Sequence, residues 1–126
     1  MKKDELLALL ETSKKRKNKH NAERVVFDGH TFDSKAECAR YRWLRTLERA
    51  GRITGLRLQV KFELARGVTL DGHRKPALRY FADFVYLDEA GKQIVEDVKG
   101  MVTPTYRIKR HLMKSVHGIE VQEIRS

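Results

Sequence analysis

Residues 78–99 read LRYFADFVYLDEAGKQIVEDVK, and this stretch decides the fold. Aromatic and branched residues dominate residues 78–87 and 93–99, which is typical of β-strands. The turn sequence Asp88-Glu89-Ala90-Gly91 separates the two runs. We therefore predict a β-hairpin of two long strands.

The first strand of this hairpin carries apolar side chains on both faces. Strict alternation places two sets opposite each other: Leu78, Tyr80, Ala82, Phe84 and Tyr86 against Phe81, Asp83 and Val85. A strand that is apolar on both faces is expected in the centre of a sheet. Asp83 interrupts the apolar run, and burying an unpaired carboxylate is costly. Asp83 therefore needs a partner.

The second strand ends in Asp97-Val98-Lys99. Side chains two residues apart on a strand share a face, so Asp97 and Lys99 should lie about 7 Å apart. Together with Asp83 and with Glu37 on an earlier helix, they form a candidate cluster of three acids and one amine. Clustered carboxylates repel unless a proton or a cation neutralises them. On a basic protein, this cluster suggests a divalent metal that faces phosphate.

Length and charge restrict the class of protein. The chain has 126 residues, enough for one domain with a single core, and 27 Lys and Arg against 17 Asp and Glu give a net charge of +10. Such an excess attracts polyanions, so nucleic acid is the expected partner.

No run is long and apolar enough for a membrane span or a signal peptide, which predicts a cytoplasmic protein without a membrane partner. Cys38 is the single cysteine, so no internal disulfide is expected.

The N-terminal 24 residues differ in composition from the rest. Residues 4–12 predict a short amphipathic helix, and residues 13–24 form a basic tract with too few apolar residues to bury. We predict that residues 1–24 are an arm and that residues 25–126 form the domain. Clustered cations contact the DNA backbone without reading bases. The candidate phosphate contacts in the arm are Lys14, Lys15, Arg16, Lys17 and Lys19.

A hairpin and a helix open the domain. Asp28-Gly29 supplies the positive φ angles of a type I′ turn, which predicts a hairpin over residues 25–32. Ser34 should then start a helix that Gly51 ends. The predicted apolar face consists of Ala36, Ala39, Trp43, Leu47 and Ala50, and Trp43 and the tyrosines are expected in the core.

Leu56 to Leu64 alternates apolar and polar residues without a break, which predicts a strand with one dry face. Gln59 and Lys61 lie on its polar face, where they are either solvated or support the acids. A polar loop with Asp71-Gly72 and Pro76 should connect this strand to residue 78.

Thr103 and Pro104 form a helix N-cap followed by proline at the first helical position, and Gly118 should end the helix. Its predicted apolar stripe is Ile108, Leu112 and Val116. A basic face carries Arg107, Lys109, Arg110 and Lys114. Residues 119–124 then predict a last strand, reached by a right-handed crossover and parallel to residues 93–99. The predicted order is αβββαβ.

Each acid also has an ordinary explanation. Ser34 and Glu37 fit a capping box, in which Glu37 reaches back to the backbone of Ser34. Asp97 and Lys99 could be an exposed ion pair that contributes at most about 1 kcal/mol.

The five histidines lack zinc-finger spacing, so structural zinc is not expected. His20-Asn21 with His30 faintly suggests an HNH nuclease, but that interpretation leaves the acid-x-Lys strand unused.

The combination of motifs resembles the PD-(D/E)XK nuclease superfamily over residues 18–124. Several segments resemble a family of small phage and prophage proteins that is similar to phage endonucleases resolving Holliday junctions. The segments are Lys19-His20-Asn21-Ala22, Phe27-Asp28-Gly29, Phe32-Asp33-Ser34-Lys35-Ala36-Glu37, residues 58–64 (LQVKFEL), Ala82-Asp83-Phe84 and residues 95–100 (VEDVKG). One position departs from the pattern, because Ala82 replaces the usual proline. The resemblance implies an α/β fold with a restriction-endonuclease-like αβββαβ core, in which helices flank a mixed sheet.

The resemblance also implies the chemistry of the site. Asp83 and Asp97 would hold Mg²⁺ or Mn²⁺ together with the carbonyl of Val98, and Glu37 would complete the set. Lys99 would orient or deprotonate the attacking water, and no organic cofactor is implied. Glu96 points to the other face and is not expected as a ligand. Two further positions, Tyr106 and Lys109, match the family pattern and are candidate DNA contacts.

The function that these features predict is a Mg²⁺-dependent DNA endonuclease of phage or prophage origin, acting in the cytoplasm of a bacterial host. By analogy, its substrate would be branched DNA formed in phage recombination or replication. Resolving a four-way junction requires two cuts, so a homodimer is expected. The alternative is a non-catalytic DNA-binding module that keeps the nuclease fold and acts with a recombinase.

Overall fold

The computed structural model describes residues 23–126, so the predicted helix at residues 4–12 and the cations of the arm lie outside the described residues. The chain divides into two compact units, Met1–Trp43 and Leu44–Ser126. No helix among the described residues is both long and apolar enough to cross a membrane. The described residues form an α/β fold with a mixed sheet and two helices.

The predicted N-terminal hairpin is confirmed. Strands β1 (Val25–Phe27) and β2 (His30–Phe32) pair antiparallel, and Asp28 and Gly29 between them have φ angles of 54° and 76°. Positive φ at both central residues identifies a type I′ turn. The Tyr41 hydroxyl donates a hydrogen bond to the Asp28 carboxylate, which fixes the turn on the helix that follows.

Helix α1 (Lys35–Arg49) begins and ends where predicted, but it buries a different face. Gly51, at φ 75°, follows its last turn. The predicted face is wrong, because Trp43 is 52% exposed, whereas the buried side chains are Glu37, Cys38, Tyr41 and Leu44. Both sets follow helical spacing, so periodicity alone could not choose between them. The second set includes Tyr41, which bonds the hairpin turn.

The main sheet has the predicted strands in the order β3-β6-β7-β8. Strands β3 (Thr54–Ala65), β6 (Leu78–Leu87) and β7 (Gln93–Lys99) pair antiparallel, and β8 (Gln122–Arg125) pairs parallel to β7. The central position of β6 and the parallel last strand are therefore confirmed.

The connection from β3 to β6 is more ordered than the predicted polar loop. It contains a second small hairpin, β4 (Val68–Leu70) and β5 (His73–Lys75), closed by Asp71-Gly72 at φ angles of 52° and 75°. This is the same Asp-Gly turn that closes the β1–β2 hairpin, so the sequence contained the signal.

Strict alternation fails along β6. One core cluster contains Tyr80, Ala82 and Val85, together with Val95 of β7, although alternation would put Val85 on the opposite face from Tyr80 and Ala82. Phe84 and Tyr86 are buried outside this cluster. The faces therefore exchange between Ala82 and Val85, and the predicted assignment of β6 side chains is wrong there.

Helix α2 (Pro104–His117) has the predicted caps. The Thr103 hydroxyl accepts from the Tyr106 N–H at 3.1 Å, and Gly118 has φ 68°. The predicted stripe is confirmed at Leu112, which packs against the core, and wrong at Ile108 and Val116, which are exposed. The helix buries Thr105, Tyr106 and Met113. This helix contacts β3 and β6, and Tyr106 and Met113 belong to the same core cluster as Tyr80.

Candidate functional site

The candidate site lies where β7 separates from β6. The β6–β7 ladder runs from Leu87↔Gln93 to Phe84↔Glu96 and continues no further, while β7 pairs with β8 from Glu96↔Gln122 to Lys99↔Arg125. Beyond the last pair, the N–H of Val98 donates to Asp83 Oδ2 at 2.8 Å. A side-chain carboxylate thus takes the place of a ladder carbonyl, because the two strands have moved apart.

Asp83 and Asp97 face each other at the point where β6 and β7 separate, which we call the fork. Each is only 2% exposed, and their carboxyl groups lie within hydrogen-bonding reach of each other. The Tyr80 hydroxyl donates to Asp97 Oδ2 at 2.6 Å. Burial, reinforced by the Asp83 charge, raises the pKa of Asp97 to about 7. Two buried carboxylates in contact require either a shared proton or a cation.

Lys99 completes the end of β7. Its Nζ lies 3.3 Å from Asp97 Oδ1 and 4.2 Å from the ring centroid of Tyr106. Both partners of the ion pair are buried, so the interpretation of Asp97 and Lys99 as an exposed surface pair is wrong. A buried ion pair is costly to desolvate, and such pairs mark function or structural specificity more often than stability.

Gln59 reaches the same carboxylates from β3. Its side-chain amide donates to Asp83 Oδ1 at 3.0 Å, so both oxygens of Asp83 accept hydrogen bonds. Gln59 also has φ 50° in the interior of a twelve-residue strand. Positive φ costs a non-glycine residue about 1–3 kcal/mol and persists where the surroundings require it. Lys61 is exposed on the same strand and makes no hydrogen bond or ion pair with the acids among the described residues.

Tyr106 and Lys109 lie on α2 beside the fork. Tyr106 is buried beneath the Lys99 ammonium, so its ring is not presented to solvent as a DNA contact would be. Its hydroxyl makes no hydrogen bond of normal geometry. Burial and the charges of Asp97 and Glu123 raise the pKa of this hydroxyl. Lys109 is partly buried.

Two residues at the site are not predicted there by the sequence. The strand pattern predicts Tyr80 only as a core residue, yet its hydroxyl donates to Asp97. Glu123 on β8 is the register partner of Asp97, and its carboxylate accepts from Arg110 at 2.8 Å. The short last strand carried no signal for Glu123, because its closeness to Asp97 follows from the parallel register alone.

Glu37 and Glu96 are both buried acids. Glu37 belongs to the N-terminal unit, where its N–H donates to the Ser34 hydroxyl at 3.1 Å, one half of the predicted capping box. Glu96 accepts a hydrogen bond from the Tyr86 hydroxyl and is the neighbour of Asp97 on β7. The role of Glu37 as a metal ligand stays a prediction.

The donor set at the fork suits a hard cation. Asp83, Asp97 and the backbone at Val98 offer only oxygen ligands, which Mg²⁺ and Mn²⁺ prefer. A divalent cation would also offset the burial and the Asp83 charge that raise the pKa of Asp97. Within residues 23–126, no three His, Cys, Asp or Glu side chains form a group that could hold a metal ion. A cation held by Asp83 and Asp97 would keep several waters, as Mg²⁺ commonly does.

Comparison with protein families gives a match over most of the chain. The family model described as "Protein of unknown function (DUF1064)" matches residues 17–124. No curated protein matches the chain, and no solved structure matches it.

Proposed function

The chain belongs to the DUF1064 family, whose function is unknown, and we propose that it is a metal-dependent DNA endonuclease that hydrolyses phosphodiester bonds. The observation that carries this proposal is the fork between β6 and β7. There, two buried carboxylates are in contact and an ammonium group lies at the end of the same strand.

The topology supports a restriction-endonuclease-like core. Helix α1, strands β3, β6 and β7, helix α2 and strand β8 follow the order αβββαβ, and the last strand is parallel to its neighbour. An acid on the central strand and acid-x-Lys on the next strand match the pattern of the PD-(D/E)XK superfamily. Fold alone does not determine function, so the proposal depends on the acids and the lysine.

The proposed cofactor is Mg²⁺ or Mn²⁺. Asp83, Asp97 and the Val98 carbonyl would hold it, and Glu37 is proposed as a further ligand. When bound, such a cation supplies Lewis-acid stabilisation of phosphate charge and activates water for hydrolysis. The Val98 N–H and the Gln59 amide hold the Asp83 carboxylate in place, and Tyr80 holds Asp97.

Lys99 is the proposed catalytic amine. Asp97 and the face of Tyr106 hold its Nζ on the side of the acids, where an ammonium group can donate a hydrogen bond to a phosphate oxygen or orient the attacking water. Because the ammonium is buried, its attraction to phosphate is screened less than that of a surface lysine. Gln59 is proposed as a positioning residue that acts through Asp83.

The proposed substrate is DNA, and the analogy with junction-resolving enzymes favours branched DNA. The net charge of +10 supports a polyanionic partner. Two coordinated cuts would require a homodimer. Phage or prophage origin and action in the bacterial cytoplasm belong to the same proposal.

A second candidate is a DNA-binding module without catalysis. It is favoured by the absence, among the described residues, of any group of three acids, cysteines or histidines suited to a metal. In that case Asp83 and Asp97 would share a proton, and Lys99 would stabilise the fork. Carboxylates beside a DNA surface would then weaken binding, which counts against this candidate.

The deciding experiment is a cleavage assay on four-way, nicked and linear DNA of the same sequence. Each substrate is incubated with Mg²⁺, with Mn²⁺ and with chelator. We expect cutting that requires metal and is fastest on the four-way DNA. Binding without metal-dependent cutting of any substrate would leave only the second candidate.

A further inference from the structure

The β4–β5 hairpin extends the β3–β6 pair beyond the core. Neither β4 nor β5 pairs with the main sheet, and residues 71–74 at its tip are all exposed. Val68, an apolar residue, is 42% exposed on it. The hairpin therefore contributes little to the core of the protein.

This segment is strongly basic. Residues 66–79 contain four cationic residues, Arg66, Arg74, Lys75 and Arg79, and a single carboxylate, Asp71. The three arginines are exposed, and among the described residues none of them makes an ion pair. We call residues 66–79 the basic ribbon. Unpaired guanidinium groups on an exposed ribbon fit a phosphate backbone, which they can contact bidentately.

The hairpin has a defined conformation. Its three residue pairs and its Asp71-Gly72 turn with positive φ angles fix the ribbon shape. Gly67 lies directly under Arg74, since a Cβ there would come within 2.8 Å of the guanidinium and 2.9 Å of the Lys75 carbonyl. A preformed ribbon loses less conformational entropy on binding than a flexible loop.

The basic ribbon is connected to the candidate site by continuous pairing. From Gln59 opposite Asp83, the β3–β6 register continues through Lys61↔Phe81 and Glu63↔Arg79 to Ala65↔Leu78. At about 3.3 Å per residue, Ala65, the residue that precedes the ribbon, lies about 20 Å from Gln59 along the strand. This distance equals roughly six base pairs of duplex DNA at about 3.4 Å per step.

We propose that the basic ribbon binds the sugar–phosphate backbone of a duplex arm about six or more base pairs from the phosphate at the Asp83–Asp97 fork. The inference rests on the proposed function, because it takes DNA as the substrate. It adds a second contact region, which makes binding depend on the length of the duplex arm. Arg66 and Arg74 are the contacts, and neither touches the catalytic residues.

The test compares two double variants that remove the same charge. Arg66→Gln/Arg74→Gln changes the basic ribbon, and the control Arg49→Gln/Lys92→Gln removes exposed cations at the opposite end of β3 and β6. Binding of each full-length protein to four-way DNA with arms of four or twelve base pairs is measured in chelator over a salt series. Melting temperatures establish that both variants are folded.

We expect the ribbon variant to lower the slope of log affinity against log salt by about one to two units, since each lost phosphate contact removes about 0.9. Affinity for the long-armed DNA should fall roughly ten- to thirtyfold near 0.15 M salt. The variant should no longer bind DNA with twelve-base-pair arms more tightly than DNA with four-base-pair arms. The control should keep that advantage of the long arms. Thr69→Glu, which retains every arginine, should weaken binding to the long arms in the same way by adding a negative charge to the ribbon.

Three results separate the two proposals. Equal losses in the ribbon variant and the control, or an unchanged slope, would overturn the role of the ribbon while wild-type cleavage still supported the nuclease. Failure of the wild-type protein to bind any DNA would overturn both proposals. Loss of the long-arm advantage in a variant that still cuts short-armed DNA would support both.

Discussion

The buried position of Asp97 explains why two substitutions at the end of β7 should separate cutting from binding. Asp97→Asn keeps an acceptor for the Tyr80 hydroxyl but removes a charge from the fork. Lys99→Met keeps the aliphatic length against Tyr106 and removes the ammonium. We expect each to lower cleavage by at least about a hundredfold, because charge stabilisation at a reacting phosphate is lost. DNA affinity in chelator should change by less than about threefold.

The measurement for these variants is single-turnover cleavage with Mg²⁺, together with binding in chelator and a melting curve. Lys92→Met, an exposed lysine in the β6–β7 turn, is the control for Lys99→Met. Full cleavage by either site variant would remove that residue from the proposed mechanism. Loss of folding in both would assign the end of β7 a structural role.

The raised pKa of Asp97 predicts how stability changes with pH. Its pKa is about 7 in the folded protein against 3.8 in the unfolded chain, so the folded state holds the proton more tightly. Asp97 therefore stabilises the fold fully below about pH 4, and this contribution is lost as the pH rises from about 4 to about 7. Denaturant unfolding in chelator from pH 4 to pH 8 measures it.

Asp97→Asn should flatten that dependence, because asparagine does not titrate. A divalent cation that binds the fork should restore stability at pH 8 and do so far less at pH 5, where the proton competes with it. The same slope in wild type and Asp97→Asn would show that another group causes it.

Gln59 allows strain and hydrogen bonding to be measured separately. Gln59→Ala removes the amide that bonds Asp83 and keeps a Cβ at positive φ, whereas Gln59→Gly removes both the amide and the strain. We expect the alanine variant to be less stable than the glycine variant by about 1 kcal/mol. Both should cut DNA more slowly, because both remove the hydrogen bond that Gln59 donates to Asp83 Oδ1.

Thermal unfolding and Mg²⁺ titrations of cleavage check the Gln59 prediction. If Gln59 positions Asp83, the Mg²⁺ concentration for half-maximal cutting should rise about tenfold or more in both variants. Gln59→Asn, which tolerates positive φ and keeps an amide, should lie between them and wild type. An unchanged Mg²⁺ requirement would limit Gln59 to a structural role.

At the scale of elements, the two helices show where periodicity succeeds and where it fails. Their ends were predictable, because Ser34, Thr103, Gly51 and Gly118 act through local hydrogen bonds and φ angles. Their buried faces were not, because each helix carries two apolar stripes and only its neighbours decide between them. The exposed Trp43 and the buried Leu44 are adjacent in sequence and have opposite environments.

The different burial of Leu44 and Trp43 predicts unequal losses of stability when each is replaced by alanine. Leu44→Ala should destabilise the protein by about 2–5 kcal/mol, since a fully buried leucine leaves a cavity. Trp43→Ala should cost much less, on the order of 1 kcal/mol or below, because half of the ring is already in water. Chemical denaturation of both variants provides the comparison, and a larger loss for Trp43→Ala would contradict the assignment of the α1 face.

At the scale of the whole molecule, charge is expected to act through more than one segment. The arm cations Lys14, Lys15, Arg16, Lys17 and Lys19 lie outside the described residues and are five of the 27 Lys and Arg residues of the chain. Deleting residues 1–19 should weaken DNA binding and reduce its salt dependence. Filter binding over a salt series measures both effects, and an unchanged affinity would exclude the arm as a DNA contact.

The sequence by itself determined the order of helices and strands, the two Asp-Gly turns, the helix caps and the presence of acids and lysine at strand positions. These features depend on residues close together in the chain, so local patterns predict them. The tertiary structure alone decided three others: which helix faces are buried, the exchange of faces between Ala82 and Val85, and the strand register that places Glu123 beside Asp97. The reason is physical, because burial, strain at Gln59 and the separation of β6 from β7 are set by contacts between distant segments. Such contacts bring Tyr80 and Gln59 to the carboxylates, and no spacing within one strand encodes them.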